Sequence, residues 1–179
     1  PENPGFELRQ PMPQPGPSVA VIVPTLNERG NVHGLVARLE RALAGDEWEV
    51  IFVDDDSTDG TAAVVRELSR TDRRVRCVQR LGRRGLSGAC LEGMLASSAP
   101  YIAVIDGDLQ HDEKLLPEML ADLRSGSFDV AVGSRYIEGG GIGQWSGERA
   151  WMSRFATALT RLVVPVPLAD PMSGFFAIR

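Results

Sequence analysis

Lysine is all but missing from this chain: Lys114 is the only one, and arginine carries the rest of the positive charge. Cysteine is nearly as scarce. Cys77 and Cys90 fall in a predicted strand and a predicted helix without metal-ligand spacing, so they read as buried, unpaired thiols, which fits a cytosolic setting. No signal-peptide pattern is found, and no apolar run approaches the roughly 20 residues that a helix needs to cross a bilayer. An excess of basic charge is absent too. The net charge of -5 and pI of about 5.1 argue against a nucleic-acid partner. Neither G-x-x-x-x-G-K-[ST] nor G-x-G-x-x-G occurs, so the chain has neither a Walker loop nor a dinucleotide fingerprint.

What is present is strongly partitioned. From Arg73 to Leu91 there are six arginines and no acid, whereas the stretch from Asp106 to Asp129 is dominated by carboxylates. One segment thus attracts anions and another attracts cations. Residues 1–17 hold six prolines and no periodicity, and are expected to form a disordered, Pro-rich leader to a single domain over 18–179. Short apolar runs then alternate with helical spacing. Val19–Val23, ended by Pro24, Glu49–Val53, Val75–Val78, Tyr101–Ile105 and Asp129–Val132 read as strands. Helices are expected through Val32–Leu43, through Val64–Leu68 and through Leu115–Leu123, with Asn27 or Asn31 capping the first. This alternation specifies an α/β fold, a mostly parallel central sheet with helices on both faces.

The block Asp106-Gly107-Asp108-Leu109-Gln110-His111 follows the buried strand Tyr101–Ile105, at the sheet edge where open α/β folds keep their ligands. Glycine between the acids lets both carboxylates turn toward one point. Such a pair suits Mg²⁺ or Mn²⁺, which prefer oxygen ligands and keep positions for water and substrate phosphate; Gln110 would add a neutral oxygen. Asp-Gly-Asp is also a common turn. A second acidic group, Asp54, Asp55, Asp56 and Asp59, ends the strand Glu49–Val53. Asp59 or Ser57 as a helix cap accounts for part of it, and a carboxylate at a strand tip is placed to accept from a nucleobase N–H or a ribose hydroxyl. Arg80 to Ala89, rich in glycine and arginine before a helix, is a plausible anion cradle. Gly139-Gly140-Gly141 has the composition of a lid or a linker. The helix over 145–164 carries the apolar stripe Met152, Phe155, Leu159 and Leu162 among Arg149, Arg154 and Arg161, a pattern shared by core helices and by helices lying in a membrane interface. The residues alone thus point to an enzyme that uses a nucleotide diphosphate and a metal.

Six motifs in order, Val23-Pro24-Thr25-Leu26-Asn27-Glu28, Val53 to Thr61, Gly85-Leu86-Ser87-Gly88-Ala89, Asp106 to His111, Gly133-Ser134-Arg135-Tyr136 and Asp170 to Phe176, resemble inverting glycosyltransferases of the GT-A (nucleotide-diphospho-sugar transferase) fold, and more narrowly the polyprenol- or dolichol-phosphate mannose synthases. The resemblance implies mannose transfer from GDP-mannose to a polyprenyl phosphate, with inversion and with Mg²⁺ or Mn²⁺, at the cytoplasmic face of the membrane. A UDP-sugar donor such as UDP-glucose is the alternative, and a non-catalytic nucleotide-binding module the more distant one. It further implies that Pro24, Leu26, Glu28, Val53, Asp55, Ile105, Asp106, Gly107, Asp108 and Arg135 hold the nucleotide sugar. Asp106, Asp108 and Gln110 would hold the metal, and Ser134, Arg135 and Arg149 the acceptor phosphate. Asp106, Asp108 and Arg135 would be catalytic, and helix 145–164 would meet the membrane surface. Leu26 stands where such enzymes often carry tyrosine. They usually continue with a basic donor-binding segment and many add transmembrane helices, so the chain is expected to be a catalytic domain truncated at its C-terminus. Oligomeric state is left open.

Overall fold

The computed structural model describes residues 16–133 and 173–179. Within them run six strands, β1 Val19–Thr25, β2 Trp48–Asp54, β3 Val75–Gln79, β4 Tyr101–Val104, β5 Val130–Val132 and β6 Phe176–Ile178. Four helices accompany them: α1 Val32–Ala42, α2 Thr61–Thr71, α3 Leu86–Leu95 and α4 Leu116–Arg124. One sheet holds every strand, in the order β3-β2-β1-β4-β6-β5. The pairs β1–β2, β2–β3 and β1–β4 are parallel, whereas β6 runs antiparallel to both β4 and β5. The mostly parallel sheet expected from the alternation is therefore present. The chain winds outward from β1 through β2 to β3, then returns to the other side of β1 with β4. That reversal opens a crevice at the C-terminal ends of β1 and β4, where loops leave in opposite directions.

Alternation along each strand divides the core in two. Val19, Val21, Val23, Val50, Phe52, Ala103 and Ile105 face one side and pack with Val32, Leu35 and Leu39 of α1, Val65 of α2, and Leu116, Leu120 and Leu123 of α4. Ala20, Ile22, Ile51, Val53 and Val104 face the other side, against Ala89 of α3. Each fully buried aliphatic or aromatic side chain contributes roughly 1.5–3 kcal/mol. The motif loops are thus carried on a strand floor closed on both faces.

Several local expectations are corrected. β1 does not stop at Pro24, which pairs in register with Val53, and the strand runs on to Thr25. The missing N–H costs nothing, because Ile22 offers its carbonyl to the Ile105 N–H on the β4 side, and Pro24, two residues on, faces that same side beyond the last β1–β4 pair, Ile22 with Val104. Neither asparagine side chain caps α1. Asn31 sits at the cap position but donates from Nδ2 to Glu28 Oε2 at 2.6 Å, and Asn27 is drawn to the next loop. Leu115 lies in a 3-10 turn, Glu113–Leu115, ahead of α4 and is 37% exposed instead of joining the core. Of the leader, residues 1–15 lie outside the described residues. So do Ser134, Arg135, Tyr136, Gly139 to Gly141, Arg149, the helix expected over 145–164 and Asp170 to Met172.

Candidate functional site

The loops after β1 and β2 are laced together at the C-terminal edge. The Asn27 N–H donates to Ser57 Oγ (2.8 Å), the Thr58 N–H to Asn27 Oδ1 (3.0 Å), the Glu28 N–H to Thr61 Oγ1 (3.0 Å) and the Arg29 N–H to Asp59 Oδ2 (3.0 Å). The loop after β4 packs against the first of them: a Cβ on Gly107 would sit 3.3 Å from Thr25 Cγ2 and 3.5 Å from Glu28 Cγ. Non-glycine residues with positive φ are found in each of the three loops, Asn27 (61°), Asp56 (58°) and Leu109 (63°). Asparagine and aspartate tolerate that conformation; leucine does so at a cost of roughly 1–3 kcal/mol. Leu109 is held there by α1, its side chain lying against Gly34 and its carbonyl accepting from Arg38 at 3.5 Å. Backbone strain is thus concentrated at the edge the motifs share.

At the β2 tip every carboxylate is engaged. Asp54, fully buried, accepts from the Ser57 N–H (3.0 Å) and Ser57 Oγ (2.5 Å). Asp55, 7% exposed, accepts from Arg80 Nη1 through Oδ1 (2.5 Å) and from the Gly85 N–H through Oδ2 (2.6 Å). Asp56 accepts from the Gly82 N–H (3.3 Å). Asp59 accepts from the Thr61 N–H and hydroxyl at the start of α2, and the hydroxyl bond, ahead of the backbone N–H bonds of Arg29 and Thr61, holds its carboxyl below the usual range. The charge that helix capping left over is answered from inside the fold. Arg80, 5% exposed, is turned inward onto Asp55 instead of outward toward an anion, and Arg83 is tied bidentately to Glu92 at 2.7 and 3.0 Å.

The β4 tip differs. Asp106 follows the buried Ile105, and its side chain stays 38% exposed. Its Oδ2 lies 3.2 Å from His111 Nε2, and the imidazole in turn lies 5.5 Å, centroid to centroid, from the Phe175 ring. Asp108 accepts from the Gln110 N–H through Oδ1 (3.0 Å). The Gln110 side chain is exposed and lines a hollow of about 640 Å³ with Arg38, Arg41, His111, Glu113 and Lys114. From the far side Gly174 closes in: a Cβ there would lie 2.3 Å from Asp106 Oδ2, so any other residue would have to displace this carboxylate. Ser173 Oγ donates to the Gly133 carbonyl (2.7 Å), pinning that passage to the end of β5. Burial, and next the charge of Asp106, push the Cys90 thiol up. Both cysteines are free, as the sequence suggests, but half-buried where full burial was expected.

Among the described residues no three His, Cys, Asp or Glu side chains gather at metal-binding distance. Two partly open carboxylates fit a hard divalent cation that completes its shell with substrate oxygens and water, and do not fit a closed structural site, whereas the Gln110 side chain lines a hollow that neither carboxylate borders. The other nucleotide candidates are divided by burial. Glu28 is half-buried and Leu26 is 44% exposed, while Val53 and Ile105 are core residues at 0% and 1%, so a ligand would meet them only through main-chain atoms. Arg80, Thr61 and Gly174 were not singled out from the sequence. Arg80 lay within the expected cradle, but nothing in the order of residues shows that it faces Asp55, 25 positions earlier.

Comparison with known proteins agrees with this architecture. Residues 20–179 match glycosyl transferase family 2. The chain is 39% identical over 163 residues to a dolichol-phosphate mannosyltransferase of Pyrococcus furiosus, covering 90% of this chain and 46% of that protein. It is 36% identical over 165 residues to the enzyme of the same name from Saccharomyces cerevisiae, covering 89% and 60%. The chain therefore spans about half the length of these curated relatives. Among solved structures, mannosyltransferase PcManGT from Pyrobaculum calidifontis, determined with GDP-Man and Mn²⁺, superposes with a TM-score of 0.57 at 25% identity, over 70% of this chain and 37% of that one. The sheet is that of the GT-A fold. Since the match reaches from Ala20 in β1 to Arg179 beyond β6, across every motif named above, the chain belongs to glycosyl transferase family 2.

Proposed function

We propose that this domain transfers mannose from GDP-mannose to a polyprenyl phosphate, with inversion and with Mg²⁺ or Mn²⁺, at the cytoplasmic face of a membrane. The observation that carries the reading is the partly open carboxylate pair Asp106 and Asp108 at the β1–β4 crevice, beside a β2 tip whose acids are already satisfied. The curated relatives named as dolichol-phosphate mannosyltransferases and the GDP-Man and Mn²⁺ of PcManGT support it.

Asp106 and Asp108, with Gln110 as a neutral donor, would hold the cation. When bound, it draws charge from the departing diphosphate. Glu28, Leu26 and the strand ends at Pro24, Val53, Asp55, Ile105 and Gly107 border the donor. Ser134, Arg135 and Arg149 would grip the acceptor phosphate, and helix 145–164 would rest on the lipid surface. A phosphate monoester is already ionised near neutral pH, so no strong general base is required of the protein. Its task is to bring two anions together. Arginines offset the acceptor charge and align one phosphate oxygen with C1; that oxygen bonds to C1 as the C1–O bond to GDP breaks, and the configuration inverts.

A thermal-shift panel of GDP, UDP, GDP-mannose and UDP-glucose with Mn²⁺ tests the donor, followed by transfer to a polyprenyl phosphate in detergent. Stabilisation by the guanosine ligands and formation of a mannosyl lipid are expected. Preference for the uridine ligands would reassign the donor, and binding without turnover would leave only a nucleotide-binding module.

A further inference from the structure

Arg80 is a buried cation for which the reaction above has no use. Its side chain lies at the junction of three elements, donating from Nη1 to Asp55 Oδ1 (2.5 Å) and to the Gly85 carbonyl (3.0 Å), and from Nε to Glu92 Oε1 on α3 (3.2 Å). The other Asp55 oxygen is held by the Gly85 N–H at 2.6 Å, so both oxygens of this carboxylate face residues 80–85. Asp56 adds a further tie to the Gly82 N–H. The loop from β3 to α3 is thus sewn to the tip of β2, not merely strung between its own strand and helix. An ion pair this deeply buried adds little net stability, because desolvation offsets the attraction; what it supplies is a fixed geometry.

We propose that Arg80 is a positioning residue for the nucleotide: with Asp55 and Gly85 it forms a brace that holds the β3–α3 loop as one wall of the donor site. The inference rests on the reading that a nucleotide diphosphate binds at this edge, and adds to it how the wall is kept in place. Arg80 acts through Asp55 and the loop, without touching the reacting atoms.

Gly88 provides a way to disturb the brace without removing any of its members. A Cβ at this position would lie 2.6 Å from Arg80 Nη2, the mobile end of the side chain, so Gly88→Ala displaces the guanidinium while placing a better helix former in the first turn of α3. Nucleotide affinity with Mn²⁺ is measured by calorimetry, alongside thermal unfolding and the separate KM values for donor and acceptor. Gly88→Ala is expected to lose less stability than Asp55→Ala, yet to bind the nucleotide about tenfold more weakly and to raise the donor KM alike, with kcat and acceptor KM changed by less than about twofold. Arg80→Lys, which keeps the charge but not the fork, should lose donor affinity in the same direction. Adding Gly88→Ala to Asp55→Asn should cost no further affinity, since both break one device. Wild-type affinity in Gly88→Ala, or a parallel loss of donor affinity, acceptor affinity and thermal stability, would overturn the brace. If the wild-type domain binds neither GDP nor UDP, the proposed function fails and the brace with it; if only the variant series is flat, the brace alone fails.

Discussion

Two acidic clusters sit on the same sheet edge and meet opposite fates. The β2 tip carries Asp54, Asp55, Asp56 and Asp59, and the fold supplies each with a donor: the Ser57 hydroxyl, the Arg80 guanidinium, the loop N–H of Gly82 and the first turn of α2. The β4 tip carries Asp106 and Asp108, which among the described residues find only a histidine ring at 3.2 Å and one main-chain N–H. Composition does not separate the clusters; the number of internal donors does. Carboxylates already bonded within the protein brace the loops, while carboxylates left partly open can take a cation from solution.

Removing acids from each cluster should expose the difference. Asp106→Ala and Asp108→Ala should lower sugar transfer by about 10²–10³-fold or more while leaving the unfolding temperature unchanged or raised, as judged by product formation and thermal melts. Retained activity in a folded variant would erase the distinction. Gly174→Ala, which drives a methyl into Asp106, is expected to cost about 10²-fold in turnover and to weaken Mn²⁺ activation, read from a metal titration of the rate. At the other tip the effect should appear in stability. Asp55→Ala leaves Arg80 buried without its main partner and should lose about 3–5 kcal/mol in urea unfolding. A loss as small as that of a surface substitution would show that the β2 acids are as loosely held as those of β4.

The smallest effect belongs to Asp59. Its folded-state pKa is depressed, first by the Thr61 hydroxyl, so its contribution is present above the unfolded carboxylate value and disappears as the pH falls through the lower folded value. Asp59→Asn should therefore melt slightly below wild type at neutral pH. The two curves should converge in acid, below a pH of about 4, in melts recorded across that range.

Much of the fold was legible because it depends on local pattern. Val19–Val23 and Val50–Val53 are unbroken apolar runs, and only a strand covered on both faces hides every residue of such a run. Val32, Leu35, Val36 and Leu39 repeat at helical spacing and are buried on α1. The position of Asp106 followed from the strand before it. Pro24 and Leu115 were misread for the same reason: whether a proline's missing N–H matters, or a leucine is covered, depends on neighbours far away in the chain. Likewise Gly174 reads as a turn residue until Asp106 is seen against it, 68 positions earlier.

The order of residues settled which stretches become strands and helices and which chemical groups stand at their ends, since periodicity and burial act over a few residues at a time. Folding settled which of those groups neutralise one another and which remain open. That outcome rests on distances between loops 25 to 68 residues apart, as between Asp55 and Arg80 or Asp106 and Gly174, and contacts of that range exist only once the sheet has closed.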